Sequence, residues 1–168
     1  MNTNTSLLHR CWRHLWMSNW YLRSKFPESA LQAITDTVRH SEQSHGGEIR
    51  VAIEADLSLH SLLGAVTTRQ RARQVFAELG VWDTASRNGV LIYMCLADRA
   101  VEIIADRGLQ ACVSDAEWAD ICMKLQNSCA ADRYQQGMCD AVIGIGQLIK
   151  RHYPQTDRNE QSDRPVLL

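Results

Sequence analysis

The turn signal Asn88-Gly89 is followed by VLIYMCL (residues 90–96), which is apolar at every position. A strand with no polar face must be buried on both sides, so it belongs in the interior of its sheet. Ala97-Asp98-Arg99 then turns the chain, and VEIIA (101–105) returns as an antiparallel hairpin partner. Upstream, EIRVAIEA (48–55) places Ile49, Val51 and Ile53 on one side and Arg50 and Glu54 on the other. That alternation is the pattern of a half-buried strand. Between these strands, Thr67 and Gln70 form a capping box for a helix bearing Ala72, Val75, Phe76 and Leu79. Strand, helix and strand between 49 and 96 predict a right-handed parallel crossover.

Helical patterns flank this unit. Pro27 opens a helix with Leu31, Ile34 and Val38 on one face, and His45-Gly46-Gly47 is expected to end it through a left-handed glycine exit. Ser114 with Glu117 predicts a capping box before a stripe of Trp118, Ile121, Cys122, Leu125 and Cys129. Asp132 with Gln135 predicts the cap of a last helix, striped by Tyr134, Met138, Val142, Ile145, Leu148 and Ile149. Residues 154–168 lack periodicity and read as a disordered polar tail. Residues 1–26 read as a basic, Trp-rich amphipathic helix, with Leu8, Cys11, Trp12, Leu15 and Trp16 opposite Arg10, Arg13 and His14. The expected fold class is α/β: a compact single-domain sandwich over residues 27–153. It has a small mixed β-sheet, made of a parallel crossover plus an antiparallel hairpin, flanked by helices.

Composition excludes several functions. A net charge of −1 lacks the basic excess of a nucleic-acid binder, so no nucleic acid is expected as a partner. No apolar run reaches the ~18 residues that cross a bilayer, and no secretory signal pattern is present. The six cysteines include no C-x-x-C pair, so core packing in a reducing cytoplasm is the expectation. There is no G-x-S-x-G elbow, Walker loop or H-E-x-x-H. Gly144-Ile145-Gly146 lacks the glycine spacing of a dinucleotide site, so no nucleotide cofactor is expected. His40 and His45 are five apart on a helix and face different ways, which disfavours a zinc pair.

The tripeptide ADR occurs three times, at 97–99, 105–107 and 131–133. Asp132 reads as a helix cap. Asp98 and Asp106 lie at opposite ends of an antiparallel hairpin and cannot share one ion. Asp98 instead joins the edge where the first strand finishes, at Glu54-Ala55-Asp56, and where Thr67, Thr68 and Arg69 begin the crossover helix. Ligands of open α/β sheets bind beyond the carboxyl ends of the parallel strands. Asp56, Asp98 and Glu54 are therefore candidate ligands of a hard cation, Ca²⁺ or Mg²⁺. Thr67, Thr68, Arg69 and Arg99 are candidates for an anion such as phosphate. Asn88, Asp106, Asp115 and Glu48 form a second candidate cluster at the other end. The alternative for all of these is ordinary turn and cap chemistry.

The segment WDTASRNGVLIYMCLADRAVEIIADRGL, with SDAEW after it and DRYQQGMCDAVIGIGQLI near the end, resembles the TPM domain family over roughly residues 28–153. The resemblance implies the same α/β sandwich. It also implies a family diverse in function: plant members in the thylakoid lumen associated with photosystem repair and weak acid-phosphatase activity, an animal receptor-accessory protein, and members that bind calcium. The matching positions here are Asp56, Asn88-Gly89, Asp98-Arg99 and Asp106.

The expected function is a non-catalytic, divalent-cation-binding or accessory module. A weak metal-assisted acid phosphatase and a structural protein using its N-terminal Trp helix are the alternatives. The expected place is the cytoplasm, peripheral to the inner membrane, with residues 5–22 meeting a protein partner or the membrane surface.

Overall fold

The computed structural model of the protein describes residues 19–57, 66–154 and 161–168. The expectations for residues 1–18, including Cys11, Trp12 and Trp16, lie outside these residues. Its described elements are α1 (Asn19–Lys25), α2 (Glu28–Glu42), β1 (Glu48–Glu54), α3 (Thr68–Glu78), β2 (Gly89–Cys95), β3 (Ala100–Ala105), α4 (Arg107–Gln110), α5 (Asp115–Ala130), α6 (Tyr134–His152) and β4 (Val166–Leu167).

The strands form one sheet in the order β3-β2-β1-β4. β1 and β2 pair in parallel from Glu48↔Gly89 to Glu54↔Cys95, and β2 and β3 pair antiparallel. This is the mixed sheet that the crossover and hairpin patterns predict. All seven residues of β2 are buried, as an apolar interior strand requires. Val90, Ile92 and Met94 join Ile49, Val51, Ile53, Val101 and Ile103 against α1, α2, α5 and α6. Leu91, Tyr93 and Cys95 join Ala52 and Ile104 against Ala72 and Val75 of α3. The sheet is thus covered by four helices on one face and by α3 on the other.

Four local expectations need correction. β1 is buried at every position rather than on alternate ones. Its expected polar face is covered, because Glu54 meets α3 and the C-terminal segment runs beside Glu48 and Arg50. The C-terminal residues 161–168 are ordered against the sheet instead of forming a tail: Val166 and Leu167 pair in parallel with Ala52 and Ile53. The glycines after α2 do not provide a left-handed exit, since α2 ends on Gln43 in right-handed geometry. Gly47 is required by close packing: a Cβ there would lie 2.5 Å from Ile149 Cγ2.

Asp132 is not the N-cap of α6; Arg133 holds that position with no side-chain cap bond. Asp132 instead ends α5, with φ +59. Its N–H donates to Cys129 O (3.0 Å) and the Arg133 N–H donates to Ser128 O (2.9 Å). These two bonds are the Schellman closure of a helix, which needs a left-handed residue at this position. α3 closes in the same way through Gly80, φ +64. The two predicted capping boxes, Thr67/Gln70 and Ser114/Glu117, are both formed.

Candidate functional site at the carboxyl end of the sheet

The β2–β3 turn, the end of β1 and the start of α3 meet at the carboxyl end of the parallel strands. The turn closes with Leu96 N–H bonded to Glu54 O (3.0 Å), Ala97 N–H to Ala55 O (3.0 Å) and Arg99 N–H to Leu96 O (3.1 Å). It holds Asp98 against the first residue of α3, whose Thr68 Oγ1 donates to Asp98 Oδ2 at 3.5 Å. Asp56 follows β1 at the same edge, half-buried. Thr67 is committed to the capping box, accepting from Gln70 N–H at 3.2 Å.

The remaining candidates of this edge are spent on packing. Glu54 accepts from Arg71 Nε and Nη2 at 3.1–3.2 Å and also from the Tyr93 hydroxyl. Burial pushes the Tyr93 phenol well above its usual range, so it stays a donor. Arg69 donates to Glu102 Oε2 (3.1 Å) and to the Ile103 carbonyl (2.7 Å), which ties α3 to β3. Sequence reasoning missed Arg71 and Tyr93. Tyr93 is hidden within an all-apolar strand, and Arg71 is one of several basic residues on an exposed helix.

Arg99 goes elsewhere. It lines a pocket of about 360 Å³ on the four-helix face, together with Tyr21 of α1, Met94, Leu96 and Val101 of the hairpin, Gln126 and Cys129 of α5, Asp132 and Tyr134. Lys25 pairs with Asp132 at 2.5 Å and stands 5.4 Å from the ring centroids of both Tyr21 and Tyr134. The hydrogen bond to Asp132 raises the Lys25 pKa above its ordinary value. The first and third ADR copies therefore meet here, through Arg99 of one and Asp132 of the other. The second copy lies at the far end, where Asp106 caps α4 and accepts from Arg107 N–H at 2.7 Å.

The second candidate cluster is likewise engaged in closing the fold. Asn88 donates to the Gly46 carbonyl and its N–H bonds Thr84 Oγ1 (3.1 Å). Glu48 accepts from Gln161 N–H (3.3 Å), and Asp115 lies in the first turn of α5. Among the described residues, no group of three or more His, Cys, Asp or Glu is arranged to hold a metal ion.

Three of the thiols and the buried histidine are held in their neutral forms. Burial pushes Cys95 up to about 12 and Cys122 and Cys129 up to about 11. His45 is buried against Ser41, with Nε2 and Oγ 3.0 Å apart. Gly47 N–H donates to Nδ1 (3.3 Å), which assigns the proton of the neutral ring to Nε2. Nε2 is then a donor to Ser41 and cannot take its proton. Burial, followed by the charge of Lys150, lowers His45 to about 4 and keeps it neutral.

Among the described residues, no helix is long and apolar enough to cross a membrane. The sequence profile of the TPM domain matches residues 25–148. The NMR structure of BA42 protein from the psychrophilic bacterium Bizionia argentinensis aligns with a TM-score of 0.74 and 27% identity, covering 83% of this chain and 93% of that one. The N-terminal domain of a P. gingivalis protein aligns with a TM-score of 0.56 and 18% identity, covering 74% and 76% of the two chains, and shares the fold. No curated protein matches the sequence. The profile match spans most of the chain, and the chain belongs to the TPM domain family.

Proposed function

We propose that the protein is a non-catalytic binding or accessory module that takes a divalent cation, Ca²⁺ or Mg²⁺, at the carboxyl end of its parallel strands. The observation that carries this reading is the meeting of Asp98 and Thr68, 3.5 Å apart, beside Asp56. Carboxylate and hydroxyl oxygens are the donors that hard cations take, and backbone carbonyls of the turn complete such sets. Glu54, an expected ligand, is left out of the proposed set because Arg71 and Tyr93 hold its oxygens. The protonated Cys95, Cys122 and Cys129 thiols and the His45 tautomer support a non-catalytic role. The phosphatase alternative needs Arg69 or Arg99 on a phosphate beside the cation, and Arg69 is committed to Glu102 and Ile103. The accessory role draws support from Trp20, within the segment expected to meet a partner or membrane; it is 76% exposed although Leu22 and Phe26 beside it are buried.

The test is a backbone NMR titration with Ca²⁺ and then Mg²⁺. Shifts centred on residues 56–57, 67–68 and 97–99, abolished in Asp98→Asn, are the expected result. Shifts centred on 88, 106 and 115, or none at millimolar cation, overturn the reading. Hydrolysis of a phosphate monoester that is lost in Asp98→Asn would replace it with the phosphatase alternative.

A further inference from the structure

The pocket on the four-helix face differs from the cation edge in position and chemistry. Its floor is apolar: Met94, Leu96 and Val101 are 2–6% exposed, and Cys129 packs on the same core. The Cys129 thiol beside this floor is held protonated by burial and adds no negative charge there. Its rim is polar, with Arg99, Gln126, Asp132 and the two tyrosines. About 360 Å³ falls within the range of small-molecule sites.

Charge bookkeeping around the rim leaves one cation. Lys25 and Asp132 neutralise each other at 2.5 Å, and the Tyr21 and Tyr134 rings brace the ammonium. Among the described residues, no ion-pair partner faces Arg99. Arg99 is nonetheless placed with care: its backbone is left-handed, φ +51, as is that of Asp132, φ +59. A residue with a Cβ in that conformation costs roughly 1 kcal/mol relative to glycine. Two of the three non-glycine residues with such backbone stand on this rim; the third, Arg87, φ +52, precedes Asn88 at the other end of the sheet.

From this arrangement we infer that the pocket binds a small organic monoanion: a carboxylate held by the Arg99 guanidinium, with a flat apolar body lying on Met94, Leu96 and Val101. A guanidinium matches a carboxylate through two parallel hydrogen bonds. The tyrosine rings suit a flat body by stacking or edge contact. With Lys25 and Asp132 neutralising each other, the single Arg99 guanidinium balances one negative charge, which favours a monoanion over a phosphate dianion. This inference is independent of the cation reading, because it uses neither Asp56 nor Asp98.

Benzoate is the first probe, with benzamide, phenyl phosphate and inorganic phosphate as comparisons. Methyl resonances of Met94, Leu96 and Val101 report binding in the full chain. Benzoate is expected to shift them saturably, with benzamide at least about tenfold weaker. Arg99→Gln should weaken benzoate by a similar factor while leaving benzamide unchanged, and Arg99→Lys should recover only part of the loss, since an ammonium lacks the fork. An unchanged spectrum away from the pocket establishes that the variants are folded. Equal affinity for benzoate and benzamide, or benzoate binding that survives Arg99→Gln, overturns the assignment. So does the absence of methyl shifts at millimolar benzoate. Tighter binding of phenyl phosphate or inorganic phosphate through Arg99 also overturns it, in favour of a phosphate site.

Discussion

The two ends of the sheet carry similar side chains and use them in opposite ways. At the amino end, Glu42 accepts from Ile49 N–H (2.8 Å), Glu48 from Gln161 N–H, and Arg39 Nε donates to Asp163 (3.2 Å). Arg50 donates to the Ser162 carbonyl, and Asn88 to that of Gly46. Glu48, Arg50 and Asn88 are buried, and together with the half-buried Glu42 and the exposed Arg39 they tie α2, β1, β2 and the C-terminal segment together. At the carboxyl end, Asp98 and Arg99 sit on the β2–β3 turn, Asp56 follows β1, and Arg99 and Asp132 rim a pocket. The charge types are the same; the difference is cover. A segment that returns along β1 covers the amino end from within the chain and bonds Glu48 and Arg50 Nη1, leaving only Arg50 Nε without a partner among its described buried side-chain atoms. At the carboxyl end no returning segment among the described residues covers Arg99, which stays exposed on the pocket rim.

That contrast can be broken by variants with effects of decreasing size. The largest is expected from Gly89→Ala at the amino end of β2. The new Cβ would lie 2.0 Å from the Val81 carbonyl oxygen, so backbone must move. A loss of about 3 kcal/mol in urea unfolding is expected; a loss below about 1 kcal/mol would mean that the amino end is less tightly closed than described.

Next comes Glu42, which burial, and then the nearby Glu48 and Asp163 charges, push up to about 8. Its folded pKa lies above its unfolded value near 4.5. The unfolded chain therefore releases this proton first, and stability falls as pH rises from about 4.5 to about 8. Glu42→Gln keeps an oxygen acceptor for Ile49 and removes the titration. The variant should gain on the order of 2 kcal/mol over the wild type at pH 8 and nothing at pH 4. His45 works in the other direction, its pKa being lowered to about 4. Its contribution is present above about 6.5 and is lost as pH falls towards 4, so His45→Gln should flatten the acid side of the profile. Equal pH dependence in wild type and both variants would sink the account of a sealed amino end.

Smaller effects belong to the carboxyl end. Thr67→Ala removes the capping box of α3 and should cost about 1 kcal/mol. Arg99→Gly relieves a left-handed backbone while adding freedom to the unfolded chain, so its stability should be unchanged or higher by at most about 1 kcal/mol. A clear loss of Tm in Arg99→Gly would show that Arg99 supports the fold, which would erase the distinction between the ends.

Much of the architecture is legible in local sequence. The all-apolar 90–96 run marks an interior strand, and Thr67/Gln70 and Ser114/Glu117 mark helix starts, because periodicity and capping act within a few residues. Asp132 shows where local reading fails. Asp-x-x-Gln before an apolar stripe is a valid cap pattern, yet the closure of the preceding helix claims the same residue. The C-terminal strand fails for a related reason: two paired residues carry no periodicity, and only the open edge of β1 makes them a strand.

The candidate site was legible in part. The edge holding Asp56, Thr68 and Asp98 follows from strand order and the position of the crossover helix. The fate of each charge does not. Glu54 is taken by Arg71 and Tyr93, and Asp132 by Lys25 from across the molecule.

The sequence by itself determined the mixed sheet, its interior strand and the identity of the helical faces, since burial patterns repeat at 2 or 3.6 residues along the chain. The tertiary structure alone decided which end is sealed and which is open. Ion pairs and backbone closures form between residues distant in sequence, and their electrostatic balance exists only once the fold has brought them together.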